Sequence, residues 1–240
     1  RGLKITTTID PKTQTSVVDA ARTKMQGENS ENRTAVVSVN PKTGGVIGYY
    51  GGEEAEGWDY ANAPLQTGST FKIMALAAAL QQGISLDTNY SSAPYQLPGS
   101  DLVTNVGGGC GVCNLREATK QSLNTSFLRL QADLKNGTQD TADMAHALGV
   151  AKSLPGIDKT LTEKGKQPFE GIALGQYQSR PLDMATAMST LANQGVWHNP
   201  HFVQRVENAA GEVLYEHPED EGERRVSSNV ANNVLEAMEP

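Results

Sequence analysis

Thr67 to Gly83, TGSTFKIMALAAALQQG, is the stretch on which the reading of this chain turns. Its residues are apolar on nearly every face, and a helix of that kind lies inside a protein rather than on its surface. Lys72 nevertheless stands one turn into it, three residues after Ser69. An unpaired ammonium in a protein interior is costly, so this lysine must be neutralised, hydrogen-bonded or used. Residues i and i+3 share a helix face, which brings the Ser69 hydroxyl within reach of the Lys72 amine. Ser69 also lies at the helix N-terminus, where its backbone N–H is free to donate and the dipole favours developing negative charge. Burial would depress the Lys72 pKa toward neutrality, leaving an amine able to take the serine proton. The competing reading is a lysine that stretches out to an acid on the surface.

Outward from this helix, the 240 residues suffice for one large domain or two small ones. A net charge of -7 excludes nucleic acid as a partner, because that needs a basic face. The apolar run Ile73 to Leu80 is too short to cross a bilayer, and no signal peptide is present. Arg1 in the place of an initiator methionine, and a helical pattern (Val230, Val234, Leu235, Met238) that runs up to Pro240, read as an excised piece.

Leu3, Ile5, Thr7 and Ile9 alternate as in a half-buried strand, and Asp10-Pro11 then opens a helix carrying Val17, Ala21 and Met25. AVVSVNPKTGGVIGYY (35 to 50) is a β-hairpin around an Asn-Pro-Lys-Thr-Gly-Gly turn. Residues 84 to 114, with Pro94, Pro98 and three consecutive glycines, read as an irregular surface segment. From Leu115 to Leu134 the pattern is helical but falters at Ser122-Leu123-Asn124-Thr125, which predicts two helices with a break. Helices follow at about 140 to 148 and at 181 to 194, the latter with Ser179 near its N-cap. A second hairpin spans 201 to 217. Hairpins flanking a block of helices define an α+β chain.

GSTFK, preceded by AVVSVNPKTGGVIGYYGG and DYANAP, resembles the transpeptidase domain of penicillin-binding proteins, where Ser-x-x-Lys carries the nucleophile. GLKITTTIDPKTQ is similar to the junction after the glycosyltransferase domain of bifunctional, class A members, and GIALGQ with RPLDMATAMSTLANQG to the later helical part. The resemblance implies a penicillin-binding protein/serine β-lactamase-like fold, with an antiparallel sheet and a helical subdomain. Residues 1–34 would be a lead-in from a preceding domain and 35–240 the transpeptidase domain.

The family's second element, Ser-x-Asn, is spelled four times: Ser30-Glu31-Asn32, Ser38-Val39-Asn40, Ser122-Leu123-Asn124 and Ser227-Ser228-Asn229. The resemblance selects Ser122-Leu123-Asn124, because that element occupies a break between helices after the serine. Ser122 would relay a proton and Asn124 would position Lys72 and substrate; the alternative is ordinary capping at a helix break. The third element, Lys-Thr-Gly, lies on a strand well after Ser-x-Asn in the family. Lys42-Thr43-Gly44 precedes the serine and is therefore a hairpin turn, with Gly44 supplying an unusual φ. No other copy occurs before Pro240, so the resemblance implies that the C-terminal strands are missing from this chain and come from another chain or from beyond a cut.

The implied activity is DD-transpeptidation of peptidoglycan through a Ser69 acyl-enzyme, without a cofactor or metal. Its partners are stem peptides ending in D-Ala-D-Ala and β-lactams that mimic them. The implied location is the extracytoplasmic face of a bacterial membrane, with the anchor outside this chain. The rivals are a β-lactamase, for which no Glu-x-x-Leu-Asn follows Ser122, and a non-catalytic β-lactam sensor or wall scaffold.

Cys110-Gly111-Val112-Cys113 can be a redox pair, half a zinc site or a small disulfide, and the lack of a βαβ context or a second ligand pair favours a loop-bracing disulfide. His198 and His201 are separated by Pro200 and lack a further ligand, which disfavours a metal site. Trp58 and Tyr60 read as packing residues, with substrate contact the alternative.

Overall fold

The computed structural model describes residues 2–54 and 57–239. In chain order its elements are β1 (Leu3–Thr7), α1 (Pro11–Met25), β2 (Val36–Val39), β3 (Val46–Tyr50), β4 (Leu65–Gln66), a 3-10 turn (Gly68–Phe71) and α2 (Lys72–Gln81). Then come β5 (Asn89–Ser91), β6 (Tyr95–Gln96), β7 (Leu102–Val103), β8 (Val112–Asn114), α3 (Leu115–Lys120), α4 (Asn124–Ala132) and α5 (Thr138–Leu148). A second 3-10 segment (Glu170–Leu174) leads to β9 (Gln178–Ser179), α6 (Pro181–Ala192), β10 (Val196–Trp197), β11 (Val203–Asn208), β12 (Val213–Glu216), β13 (Glu223–Arg224) and α7 (Ser228–Met238).

Helix α2 is the axis of the molecule. Met74, Ala75, Leu76, Ala77 and Ala79 are fully buried, and α4, α5 and α7 pack around it. Its alanines let those neighbours approach closely, at the density expected of a protein interior. Phe71, Leu115, Phe127, Leu130, Leu148, Leu191 and Val234 complete the same cluster. A smaller cluster of Val17, Ala21 and Tyr50 fixes α1 on the β2–β3 hairpin. Helix α1 begins as its sequence requires, with the Asp10 carboxylate accepting from the Thr13 N–H and Pro11 in the first turn.

The strands are paired antiparallel. β1, β11 and β12 form one sheet in the order β1-β11-β12, and β2 pairs with β3. A parallel bridge between Gly45 and His201 joins the two groups, and the Thr8 hydroxyl donates to the Val46 carbonyl across the junction. The turn at Lys42-Thr43-Gly44 is the expected hairpin turn, with Gly44 at φ 75°. A Cβ on Gly44 would lie 2.5 Å from the Asn199 carbonyl oxygen, so the turn is also a close approach of two backbones.

Two details depart from the sequence reading. β1 is paired but not half-buried: Leu3 and Ile5 are 60% and 55% exposed, because among the described residues no helix covers that sheet. Residues 84 to 114 are not wholly irregular, since β5 pairs with β8 and β6 with β7. These strands are two or three residues long, below what alternation can reveal. The N-cap of α6 is Arg180, next to Ser179 as the sequence suggests, and Asp183 reaches back to the Arg180 N–H. Cys110 and Cys113 are joined by the disulfide that the sequence favours, and it braces the segment between β7 and β8.

Leu76→Ala would leave a cavity at the centre of this cluster. It should lower the unfolding free energy by about 2–5 kcal/mol, read as a lower urea midpoint at unchanged slope.

Candidate active site

The expected long helix is in fact a 3-10 turn that passes into an α-helix at Lys72. The tighter winding nearly eclipses side chains at i and i+3, which sets the Ser69 hydroxyl over the Lys72 amine at 2.9 Å. Ser69 is exposed at the cleft, while Lys72 is 3% exposed. The turn is held from below by Gly175, at φ 78°, whose missing side chain lets its backbone meet that of Gly68. A Cβ there would fall 2.2 Å from the Gly68 oxygen, so no other residue fits under the serine.

The opposite wall comes from the break between α3 and α4. Helix α3 ends with the Ser122 N–H donating to the Thr119 carbonyl and the Leu123 N–H to the Ala118 carbonyl. This is a helix termination that normally requires glycine at the left-handed position. Here Ser122 occupies it, at φ 53°. The strained conformation turns both its carbonyl and its hydroxyl toward Lys72, at 2.6 and 3.0 Å from Nζ. Asn124, in the first turn of α4, accepts from Lys72 through Oδ1 at 2.7 Å, and its Nδ2 donates to the Thr104 carbonyl at 3.2 Å. The second bond fixes which way the amide points.

The four sequence-selected residues Ser69, Lys72, Ser122 and Asn124 thus meet at one nitrogen. Burial lowers the Lys72 pKa from its ordinary 10.5 to about 8. The deprotonated amine has two hydrogens and one lone pair. The Ser122 carbonyl and Asn124 Oδ1 only accept, so they claim both hydrogens. The lone pair is left to the hydroxyls of Ser69 and Ser122, each of which has a proton to give. Such an arrangement can draw a proton from Ser69 as it attacks an electrophile.

The cleft has a volume of about 380 Å³ and is bounded also by Thr119, Lys120, Phe127 and the end of α7 at Met238 and Glu239. The Phe127 ring centroid stands 5.9 Å from Nζ. The Ser122 carbonyl, Thr104 and the α7 terminus carry no sequence signal of their own. A backbone atom has no identity in the sequence, and the others act through chain segments far from the motif.

Four residues singled out in the sequence, Trp58, Tyr60, His198 and His201, lie elsewhere. Trp58 does not pack inside: it is 66% exposed and, with Tyr60 and Tyr50, lines a separate hollow beside Arg33. His201 stacks on His217 at 3.5 Å, while buried His198 faces Asp220. Among the described residues no group of three His, Cys, Asp or Glu side chains is arranged to hold a metal, and no helix is long and apolar enough to cross a membrane.

Residues 34–240 match the family profile of the penicillin-binding protein transpeptidase domain, and the chain belongs to that family. It is 52% identical over 242 residues to penicillin-binding protein 1A of Mycolicibacterium smegmatis, covering 100% of this chain and 31% of that protein. To penicillin-binding protein 1A of Mycobacterium tuberculosis it is 48% identical over 244 residues, covering 100% of this chain and 30% of the relative. The chain therefore spans about a third of the length of these curated relatives. Among solved structures, PonA1 from M. tuberculosis superposes with a TM-score of 0.96 at 50% identity, over 100% of this chain and 63% of that one. The structure of PonA1 in complex with penicillin V gives 0.95 at the same identity, over 100% and 64%. The fold is the transpeptidase fold of penicillin-binding proteins, with its mixture of helices and antiparallel strands.

The burial of Lys72 makes a prediction independent of any reaction. An NMR titration of its amine should give a midpoint near 8, whereas a midpoint above 10 would mean that the amine is solvated. Between about 8 and 10.5 the unfolded chain holds this proton and the folded one does not, so the lysine's contribution to stability should rise with pH across that window.

Proposed function

We propose that this chain carries the nucleophile and base of a serine DD-transpeptidase that cross-links peptidoglycan stem peptides and is acylated by β-lactams. The observation that carries the reading is the convergence of Ser69, Ser122 and Asn124 on a buried amine with a lowered pKa. The penicillin V complex of a relative at 50% identity supports β-lactams as ligands.

In this reading the Ser69 Oγ attacks the carbonyl carbon of the penultimate D-Ala while Lys72 Nζ takes the hydroxyl proton. The charge that develops on the carbonyl oxygen lies beside the Ser69 N–H, at the start of a helix where backbone donors lack internal partners. The proton then passes from Lys72, through the Ser122 hydroxyl, to the nitrogen of the departing D-Ala. The C–N bond breaks and an ester to Ser69 remains. An amine from a second stem peptide attacks that ester, gives its proton back along the same route and releases Ser69. A β-lactam follows the first half, but its leaving nitrogen stays tethered, so the ester persists. Asn124 orients both Lys72 and the bound peptide backbone.

We take residues 35–240 as transpeptidase domain and 1–34 as its lead-in. The family's Lys-Thr-Gly strand, which engages the substrate carboxylate, would come from the remainder of the protein. The setting that fits this substrate is the outer face of a bacterial membrane.

Intact-mass measurement of the complete protein after exposure to benzylpenicillin should show a stable adduct that Ser69→Ala abolishes. An adduct on the Ser69→Ala variant would overturn the assignment, and loss of the adduct within seconds would point to a hydrolase instead.

A further inference from the structure

Helix α4 has a defect at its start. Its N-cap is Leu123, which has no side-chain oxygen to offer the unpaired N–H groups of the first turn. These groups belong to the segment that holds Asn124 against Lys72, and an uncapped start would fray.

Asn105 makes good the defect from 20 residues upstream. Its Oδ1 accepts from the Thr125 N–H at 3.0 Å and from the Thr125 hydroxyl at 3.2 Å. Its Nδ2 donates to the Ser92 carbonyl at 2.8 Å and lies 3.0 Å from the Thr125 hydroxyl. The two backbone partners, one donor and one acceptor, leave the amide a single sensible orientation. Thr125 is fully buried and Ser92 is 7% exposed, so these bonds are sheltered from water. The adjoining Thr104 carbonyl is the atom that receives the Asn124 amide. Ser92 is itself tied down: its N–H and hydroxyl both donate to the Gly111 carbonyl, at 2.8 and 3.2 Å. Gly111 lies within the loop closed by the Cys110–Cys113 disulfide.

We propose that Asn105 is a positioning residue of the acylation site, capping α4 from outside the helix and thereby holding Asn124 and Ser122 against Lys72, with the Cys110–Cys113 loop as its anchor. This rests on the assignment of Ser69 and Lys72 as nucleophile and base. Without the cap, the first turn of α4 loosens, water reaches Lys72 and the amine is more readily protonated. Lys120 and Glu239 are the charged residues that line the cleft with Lys72 among the described residues, and burial is what lowers the Lys72 pKa.

The test measures the second-order acylation rate constant of the complete protein with benzylpenicillin from acid to alkaline pH, together with thermal melting. Asn105→Ala should slow acylation roughly tenfold or more near neutrality and move the midpoint of the pH profile to higher pH. Asn105→Asp, which keeps the acceptor for Thr125, should recover most of the rate. Replacing both cysteines by alanine should shift the midpoint in the same direction, and the two changes should combine less than additively. Should Asn105→Ala not fold, the cysteine variant carries the same test. A folded Asn105→Ala with a rate within about threefold of the parent and an unmoved midpoint would overturn the proposal. So would a cysteine variant with an unmoved midpoint. Either result would leave the Ser69 reading standing, whereas an adduct on Ser69→Ala would remove its basis.

Discussion

An amine taken out of water must find acceptors or give up its proton, and the packing around Lys72 is organised by that constraint. Helix α2 is buried because its sequence is apolar on all sides, and Lys72 goes in with it. Burial costs the ammonium its hydration and lowers its pKa to about 8. The protein then supplies two obligate acceptors, the Ser122 carbonyl and Asn124 Oδ1, in positions that direct the remaining lone pair at hydroxyls. Were the acceptors absent, the buried nitrogen would be an unsatisfied polar group, costing about 1–3 kcal/mol or more. The interaction that makes the lysine tolerable inside the fold also suits it to the proposed role of base.

The second wall depends on a local compromise. A glycine at position 122 would end α3 without strain, but it would bring no hydroxyl to the amine. Serine accepts the left-handed conformation at φ 53° and presents two oxygens to the same nitrogen. The strain is held by the packing of Leu123 and Phe127 in the main core and by the bonds that close α3. Backbone conformation, rather than side-chain identity alone, thus separates this Ser-x-Asn from the three others in the chain.

Much of this was legible in the sequence because the relevant signals are contradictions. A lysine in an apolar helix and a polar break in a helical pattern both stand out against periodicity, and both lead to residues that meet at the site. The hairpin at Val36 to Tyr50 and the capped start of α1 follow from turn and cap chemistry. What escaped was set by tertiary context. Alternation at Leu3 and Ile5 cannot say whether anything covers the sheet. The two-residue strands between Tyr95 and Val103 are too short for a period, and Trp58 is exposed where its size argued for burial. Asn105 carries no motif at all; only the fold brings it to the start of α4.

The central claim is that acylation waits on a neutral Lys72. The most direct measurement is the acylation rate constant of the parent protein as a function of pH. A single rise with its midpoint near 8, flattening above, is the expected result. A rate that is constant from pH 6 to 10, or that rises only in the ordinary lysine range above about 10, would contradict the account.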